Sequence, residues 1–313
     1  MRAQQRGVAL IMAVVLVALA TVLAVSIGFS SAMTARRGAA TFSVEQGLLF
    51  AQGAEALAAY VLQKDTDRTN DTTAEFWNQP YGPVEIAPEV ALKAQLHDEQ
   101  GKFNLNTLLD AKGEPDKDAI AVFTRLLELA GVETRWAGLL VDWLDDNDTT
   151  YEGGGGEDSL YAAQQPAGRT GNVTVTSISE LLQLPGFGIE RYQKLAPHVT
   201  ALPPDVRTIN VCTATPLVLD ALYALGENPQ DTEYSQLDPV QFRKNRSGPC
   251  YPSETDVRNT VRGQRIATHI SSKTSYFSLH TVVSIGSTRF TLYSLMLRDT
   301  TGARPILRTF GTE

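Results

Sequence analysis

Residues Val8–Val25 read VALIMAVVLVALATVLAV, an apolar run of eighteen interrupted only by Thr21. A helix of that length crosses most of a bilayer, whereas a cleaved secretory segment usually carries only about 7–15 apolar residues. The orientation signal is weak, because Arg2 and Arg6 precede the run while Arg36 and Arg37 follow it closely. No proline occurs before Pro80, and the segment TFSVEQGLLFAQGAEALAAYVLQ, Thr41–Gln63, spaces its apolar residues helically. One helix from Val8 to about Lys64 is predicted, roughly 80 Å long, with its first half in lipid and its second half amphipathic. Gly38, Gly47 and Gly53 are points where it could bend. An anchor that breaks near residues 30–34 before an unrelated helix is the competing arrangement.

The chain has 313 residues, enough for one large domain or two moderate ones. Its net charge of −8 excludes the electrostatic footprint of a nucleic-acid binder. The two cysteines, Cys212 and Cys250, read as one disulfide if the membrane-targeted chain enters an oxidising compartment. Closing that loop would stabilise the fold by roughly 4 kcal/mol in the chain-entropy model. Two separate buried thiols are the alternative. The histidines His97, His198, His269 and His280 form no pair at helical spacing, and there is no HExxH, GxSxG or CxxC. Nothing assigns a catalytic residue or a transition-metal site.

Along the rest of the chain, EVALKAQLHDEQGKFNLNTL, Glu89–Leu108, reads as a hairpin: a strand near 90–97, a turn at Gln100–Gly101 and a short strand near 102–105. Helical spacing follows over 118–130 and 134–144, and β-rich runs return over 273–284, 288–297 and 303–309. That order suggests a mostly helical block, 110–265, inserted into one sheet shared by the segments on either side.

The loop DWLDDNDTTYEGGGGED, Asp142–Asp158, crowds acids beside four glycines. Asp142, Asp145, Asp146, Asp148, Glu157 and Asp158 are its candidate metal ligands. Asp146, Asp148 and Glu157 stand at relative positions 1, 3 and 12, but Thr150 and Tyr151 occupy positions 5 and 6, so it is no EF-hand. Hard oxygen donors on a flexible loop suit calcium, and without a cation they repel one another. A solvated acidic loop is the plainer reading, and paired catalytic carboxylates are the remaining one. The stretch LLQLPGFGIERYQKLAPHV, Leu181–Val199, has helix-hairpin-helix form, and INVCTATPLVLDALYALG, Ile209–Gly226, looks like a related half. Such turns bind phosphate in other proteins, which makes a membrane-anchored DNA-uptake protein the rival reading. The second half has no lysine or arginine between Val211 and Gly226, so both motifs read as packing units.

A short basic leader ending in Gly7, followed by an apolar helix that becomes amphipathic, resembles the type IV prepilins. The resemblance implies that prepilin peptidase cuts between Gly7 and Val8 and that Val8 is N-methylated. The prepilin pattern places a glutamate at the fifth mature position, where this chain has Met12. An acid there would be costly in lipid without a partner, and a subunit with nothing ahead of it in the fibre has no partner to offer. With DEQGKFNLNTL, LVDWLDDND, GGEDSLY, SISELLQLPGFG and INVCTATPLVLDAL, the chain is similar to the GspK family of minor pseudopilins in type II secretion systems. That family implies an α+β pilin-like fold, with the long helix packed on an antiparallel sheet and a large helical insertion carrying helix-hairpin-helix-like motifs. The divisions would be a leader 1–7, a transmembrane helix 8–29, pilin-like parts 30–109 and 266–313, and an inserted domain 110–265. It also implies calcium in that insertion and a tip heterotrimer with GspI- and GspJ-like subunits. Assembly on the inner-membrane platform and a single pass through the inner membrane follow, with the C-terminal part in the periplasm and no nucleic-acid partner.

Overall fold

The structure, a computed structural model, describes residues 4–65, 69–237, 242–243 and 250–311, so the first three residues of the leader lie outside it and the polar loop 228–253 is described only in part. The elements in chain order are α1 (Gln4–Lys64), β1 (Tyr81–Ala87), β2 (Val90–Asp98), β3 (Phe103–Asn104), α2 (Lys117–Leu129), α3 (Arg135–Leu144), α4 (Asp158–Ala162), α5 (Gly188–Leu195), β4 (Val199–Thr200), β5 (Ile209–Asn210), α6 (Pro216–Ala221), α7 (Glu254–Val261), β6 (Ile270–Ser271), β7 (Tyr276–Ile285), β8 (Thr288–Asp299) and β9 (Gly302–Phe310).

Helix α1 runs unbroken for 61 residues. Its apolar start is long enough to cross a membrane and none of it is buried. From Gly47 onward one face changes character: Gly47, Ala51, Ala54, Ala58 and Leu62 are all buried. Four of these five are Gly or Ala, so the helix axis lies close to the sheet. A Cβ on Gly47 would stand 2.8 Å from Cβ of Phe290. Beside this face Glu55 is buried but fully satisfied, accepting from Ser294 Oγ at 2.5 Å and from Arg308 Nε and Nη2 at 2.8 Å each. One carboxylate thus ties α1 to two strands at once.

The sheet has the order β1-β2-β7-β8-β9 and is antiparallel throughout. The pairing of β2 with β7 runs from Val90↔Ile285 to Asp98↔Phe277, which joins segments on either side of the helical block. Alternation in β7 buries Phe277, Leu279 and Val283 against α1, with Leu92, Leu96, Leu292 and Met296 beside them. Trp77 closes this core edge-on against Phe277 at 5.0 Å between ring centroids.

The hairpin expected after β2 does not form. Its second limb is β3, which pairs in parallel with β4 far along the chain, and β2 lies between β1 and β7 instead. Two local causes are visible. A Cβ on Gly101 would stand 2.5 Å from Thr213 Oγ1, so the chain here is pressed into the helical block. Strand β1 is an exposed edge with almost no buried residue, so it carries no alternation for a sequence to show.

The helical block has its own core, centred on Phe123, Leu126, Trp136, Leu140, Phe187 and Leu222. The motif DEQGKFNLN fastens it to the sheet with buried side chains. Asn106 accepts from Val175 N at 2.8 Å and donates to the carbonyls of Val175 and Leu202. Asn104 grips Leu202, Pro203 and Val206 in the same way. Glu99 accepts from Ser278 of β7 and Thr200 of β4, at 2.7 Å each, and pairs with Lys102. Gln100 accepts from Ser275 N at 2.6 Å. Asp98 accepts from Gln100 N at 2.7 Å, from Asn210 Nδ2 at 2.8 Å and from the Thr213 hydroxyl. In the same segment Cys212, fully buried, donates its N–H to Asn210 Oδ1 and is joined to Cys250 in a disulfide.

Two outcomes follow for stability. Burial pushes the Asp98 carboxyl up to about 6 from its ordinary 3.8, although hydrogen bonds from Thr213, Thr274, Gln100 and Asn210 act in the opposite direction. The folded state therefore binds this proton more tightly than the unfolded chain, and the resulting stability, complete below pH 3.8, is lost as pH rises through 6. Urea unfolding of residues 30–313 is expected to show the natural chain losing on the order of 2–3 kcal/mol relative to Asp98→Asn between pH 4 and pH 7; a flat difference contradicts the shift. The disulfide closes a sequence separation of 38 residues. Cys250→Ser is expected to lower unfolding free energy by up to about 4 kcal/mol, and reductant should then affect the natural chain but not the variant.

Candidate metal centre

Helix α3 is buried on nearly every side from Trp136 to Leu144. Its last turn carries Asp142, with no exposed surface, and Asp145 caps the helix, 3% exposed. The glycine run after it crosses α3 at contact distance. A Cβ on Gly138 would lie 2.7 Å from the Gly153 carbonyl oxygen, and one on Gly155 would fall on the Asp142 carboxylate. Of these glycines, Gly138 and Gly155 are needed for close approach and Gly154 for its φ of +99°. The glycine run returns the chain so that Glu157, 9% exposed, arrives over the end of α3.

The three buried acids are unequally satisfied. Asp142 accepts from Tyr151 N at 2.9 and 3.1 Å to its two oxygens. Oδ1 of Asp145 and both carboxylate oxygens of Glu157 are buried without a hydrogen-bond partner, and so is the Tyr161 hydroxyl. Burial, and after it the charges of Asp142, Asp145, Asp148 and Asp158, push the Glu157 carboxyl up to about 7. Burial also raises Asp145, helped by Asp142 and Asp146, and burial raises Asp142. Without a cation this corner resists holding its charges. Every donor is a hard oxygen, the set that a divalent cation such as calcium takes.

Of the six expected ligands, the fold thus gathers Asp142, Asp145 and Glu157. Asp146 and Asp148 lie on the exposed side of the same loop. Asp158 is turned to Thr170, accepting from its N at 2.9 Å and its Oγ1 at 2.7 Å. A second acidic group was not legible in the sequence. Among the described residues, ligand oxygens of Asp65, Asp71 and Glu75 lie within 4.8 Å of one another, a mutual distance the loop acids do not reach. Arg298 fills the cation's role there, pairing with Asp65 at 2.8 Å and with Asp71.

The two cations of the helix-hairpin-helix stretch already bond oxygens of the protein. Arg191 is held by both oxygens of Glu133, at 2.6 Å each, and Lys194 reaches the Gly131 carbonyl at 3.4 Å. Phe187 is fully buried and meets Trp136 edge-on at 5.1 Å. Gly186 and Gly188 take positive φ on either side of it, +83° and +74°. The limb before this turn is a six-residue 3-10 segment, Ile178–Gln183, and the stretch Ile209–Gly226 enters through strand β5 instead of a helix. His198 bonds Thr215 at 2.7 Å and His280 stacks on Tyr293 at 4.4 Å.

Residues 101–204 match the family model described as type II secretion system (T2SS), protein K. Type II secretion system protein K of Pseudomonas aeruginosa is 30% identical over 96% of this chain and 91% of its own. The protein of the same name from Klebsiella pneumoniae is 37% identical over 69% of this chain and 68% of its own. Among solved structures, a chain in the crystal structure of the GspK-GspI-GspJ complex from the enterotoxigenic Escherichia coli type 2 secretion system is similar with a TM-score of 0.67. That match has 23% identity and covers 88% of this chain and 100% of the other. A long helix on an antiparallel sheet, a helical block set between its strands, and likeness along almost the whole length lead to one family: the chain belongs to type II secretion system protein K, the minor pseudopilins of that system.

Proposed function

We propose that this chain caps the tip of a periplasmic pseudopilus, helps to start its assembly, and so serves the export of folded proteins across the outer membrane. The observation that carries this is the shape of α1 and its load. One helix is bare and apolar below and packed on the sheet above, and the helical block of about half the chain sits on the sheet it serves. A subunit of that bulk has room for neighbours below it and none above. Met12 fits the same place, since a subunit with nothing ahead of it needs no acid in lipid.

In this reading residues 1–7 are the leader, 8–29 span the inner membrane, 30–109 and 266–313 form the pilin-like part in the periplasm, and 110–265 form the insertion. Prepilin peptidase cuts between Gly7 and Val8 and Val8 is methylated. The assembly platform of the inner membrane receives the subunit. The partners are the other minor pseudopilins, as the solved relative is described in complex with GspI and GspJ. The role is structural and involves no catalysis.

Calcium belongs to this reading as a stiffener of the insertion. Asp142, Asp145 and Glu157 would hold it, with Asp146 or Asp148 as the exposed donors. The support is the set of orphaned carboxylate oxygens on Asp145 and Glu157. Bound calcium would neutralise charges that burial otherwise disfavours.

Two measurements test these assignments. Edman sequencing and mass spectrometry of the mature protein should give a methylated amino terminus at Val8; a start near Met33 would indicate ordinary secretion and remove the reading. Thermal melting of residues 30–313 should show a higher midpoint in calcium than in chelator, with about 2.7 kcal/mol gained at a hundred times Kd. Glu157→Gln with Asp145→Asn should abolish that gain, and equal midpoints in the natural chain would rule the ion out.

A further inference from the structure

Strand β2 ends on an acid that belongs to the sheet but is held by the helical block. One carboxylate oxygen of Asp98 accepts from Gln100 N at 2.7 Å. The other meets two side chains from the turn after β5, Asn210 Nδ2 at 2.8 Å and the Thr213 hydroxyl. Between and beside them Val211, Cys212 and Ala214 belong to the core of the block. Sheet and block are thus pressed together around one carboxyl group.

Its donors are all neutral, and the charged groups nearby are engaged elsewhere. Lys102 gives its ammonium to both oxygens of Glu99, at 2.9 and 3.0 Å. Arg298 of β8 pairs with Asp65 at 2.8 Å and with Asp71. From the loop before β1, the Asp71 carbonyl shares the Asn210 amide, and Glu75 accepts from Thr72 N and Trp77 Nε1. Between β6 and β7 the Thr274 hydroxyl reaches Asn210. Desolvation and Lys102 lower His97, so it carries little charge above pH 6.5. An ionised Asp98 therefore has dipoles to stabilise it and no cation of its own.

The turn has a place for a proton. Thr213 Oγ1 also lies 3.3 Å from the Asn210 carbonyl. With Asp98 ionised, the hydroxyl donates to the carboxylate. With Asp98 protonated, the acid donates to Thr213 Oγ1 and the hydroxyl turns to Asn210. Beside this corner a cavity of about 260 Å³ opens, lined by Thr73, Asn78, His97 and Ser278. It gives water a way to an ionised carboxylate.

We propose that Asp98 is a proton-operated latch between the sheet and the helical block: protonated, it closes the turn 210–213 on the end of β2; ionised, it draws water from the cavity and loosens that turn while both cores stay folded. Burial places the change at about 6. Because the closed form raises the carboxyl from 3.8, tightening is complete below that value and is lost as pH rises through 6. The latch does not depend on the pseudopilin reading.

Hydrogen exchange of the full-length chain in detergent micelles, read by mass spectrometry and corrected for the intrinsic pH dependence of exchange, tests it. Between pH 4 and pH 7, opening at 98–102 and 209–214 is expected to rise on the order of fiftyfold, as a carboxyl at about 6 when closed and 3.8 when open requires. Segments from α2 and from the middle of β7 should keep their protection. Asp98→Asn, which has the same shape and does not ionise, should remove the rise. Glu99→Gln should keep it. Carbon-13 spectra of the natural chain labelled at its aspartate carboxyls make the outcome independent of how well the variants fold: one aspartate should titrate near 6 in step with the loosening. No rise at the junction, an equal rise in α2 and β7, an unchanged rise in Asp98→Asn, or aspartates that all titrate below pH 5 would overturn the latch.

Discussion

Everything in this molecule depends on how closely α1 approaches the sheet. Gly47, Ala51, Ala54 and Ala58 remove the side chains that would hold helix and strands apart. The core between them is therefore filled mainly from the strands, by Phe277, Leu279, Val283 and Leu292, with Leu62 at the top of the helix. Small residues alone give little apolar area to bury. The carboxylate of Glu55 supplies the specificity that the alanines lack, because its bonds to Ser294 and Arg308 fix the rotation and height of the helix on the sheet. Removing it would leave Ser294 without its partner in a dry interface, where an unpaired polar group costs about 1–3 kcal/mol. A helix fixed in this way also fixes everything below it, because it carries no break along its apolar start.

A rigid rod is useful only if its load is rigid too, and the polar staples at the junction provide that. Asp98, Glu99, Gln100, Asn104 and Asn106 sit within nine residues of one another, yet their partners come from β4, β5, β7 and the turns after Leu202 and Cys212. Each side chain bonds backbone or hydroxyl groups that would otherwise be buried unpaired. An apolar contact at the same places would tolerate sliding, whereas directional bonds do not. The Asp65–Asp71–Arg298 ion pairs extend the same network to the end of α1, so the helix, the sheet and the block share one buried polar seam.

Much of this was legible in the sequence, for reasons that differ by element. The helix α1 declared itself by an apolar run and a following helical period without proline, and α2, α3 and the last three strands by plain periodicity. The short strand β3 was misplaced as the limb of a hairpin, because two residues hold no period and its partner β4 lies nearly a hundred residues away. Strand β1 was missed because an edge exposed on both faces has no hydrophobic alternation. The acidic loop was legible as a cluster but not in its order of burial. Sequence spacing favoured Asp146 and Asp148, whereas the helix end selects Asp142 and Asp145. The Asp65–Asp71–Glu75 group left no trace, since what makes it stable is an arginine more than two hundred residues distant.

The two unlike flanks of α1 connect these parts into one argument about assembly. Hydrophobic side chains on a membrane-rooted helix have two ways to leave water, the lipid or another helix. The run up to about Phe29 is long and apolar enough to cross a membrane, and the sheet covers the Gly-Ala face above it. Phe42, Leu49, Leu57 and Tyr60 follow that run and lie off the buried face, and all four are exposed. Exposed apolar area of that length is an aggregation hazard for a subunit alone, and its confinement to one flank limits what can cover it. Glutamate and glutamines on the other flank keep it wetted. The helix thus has a buried face, a sticky face and a soluble face in order around its axis. That asymmetry gives a subunit a direction in which to be joined.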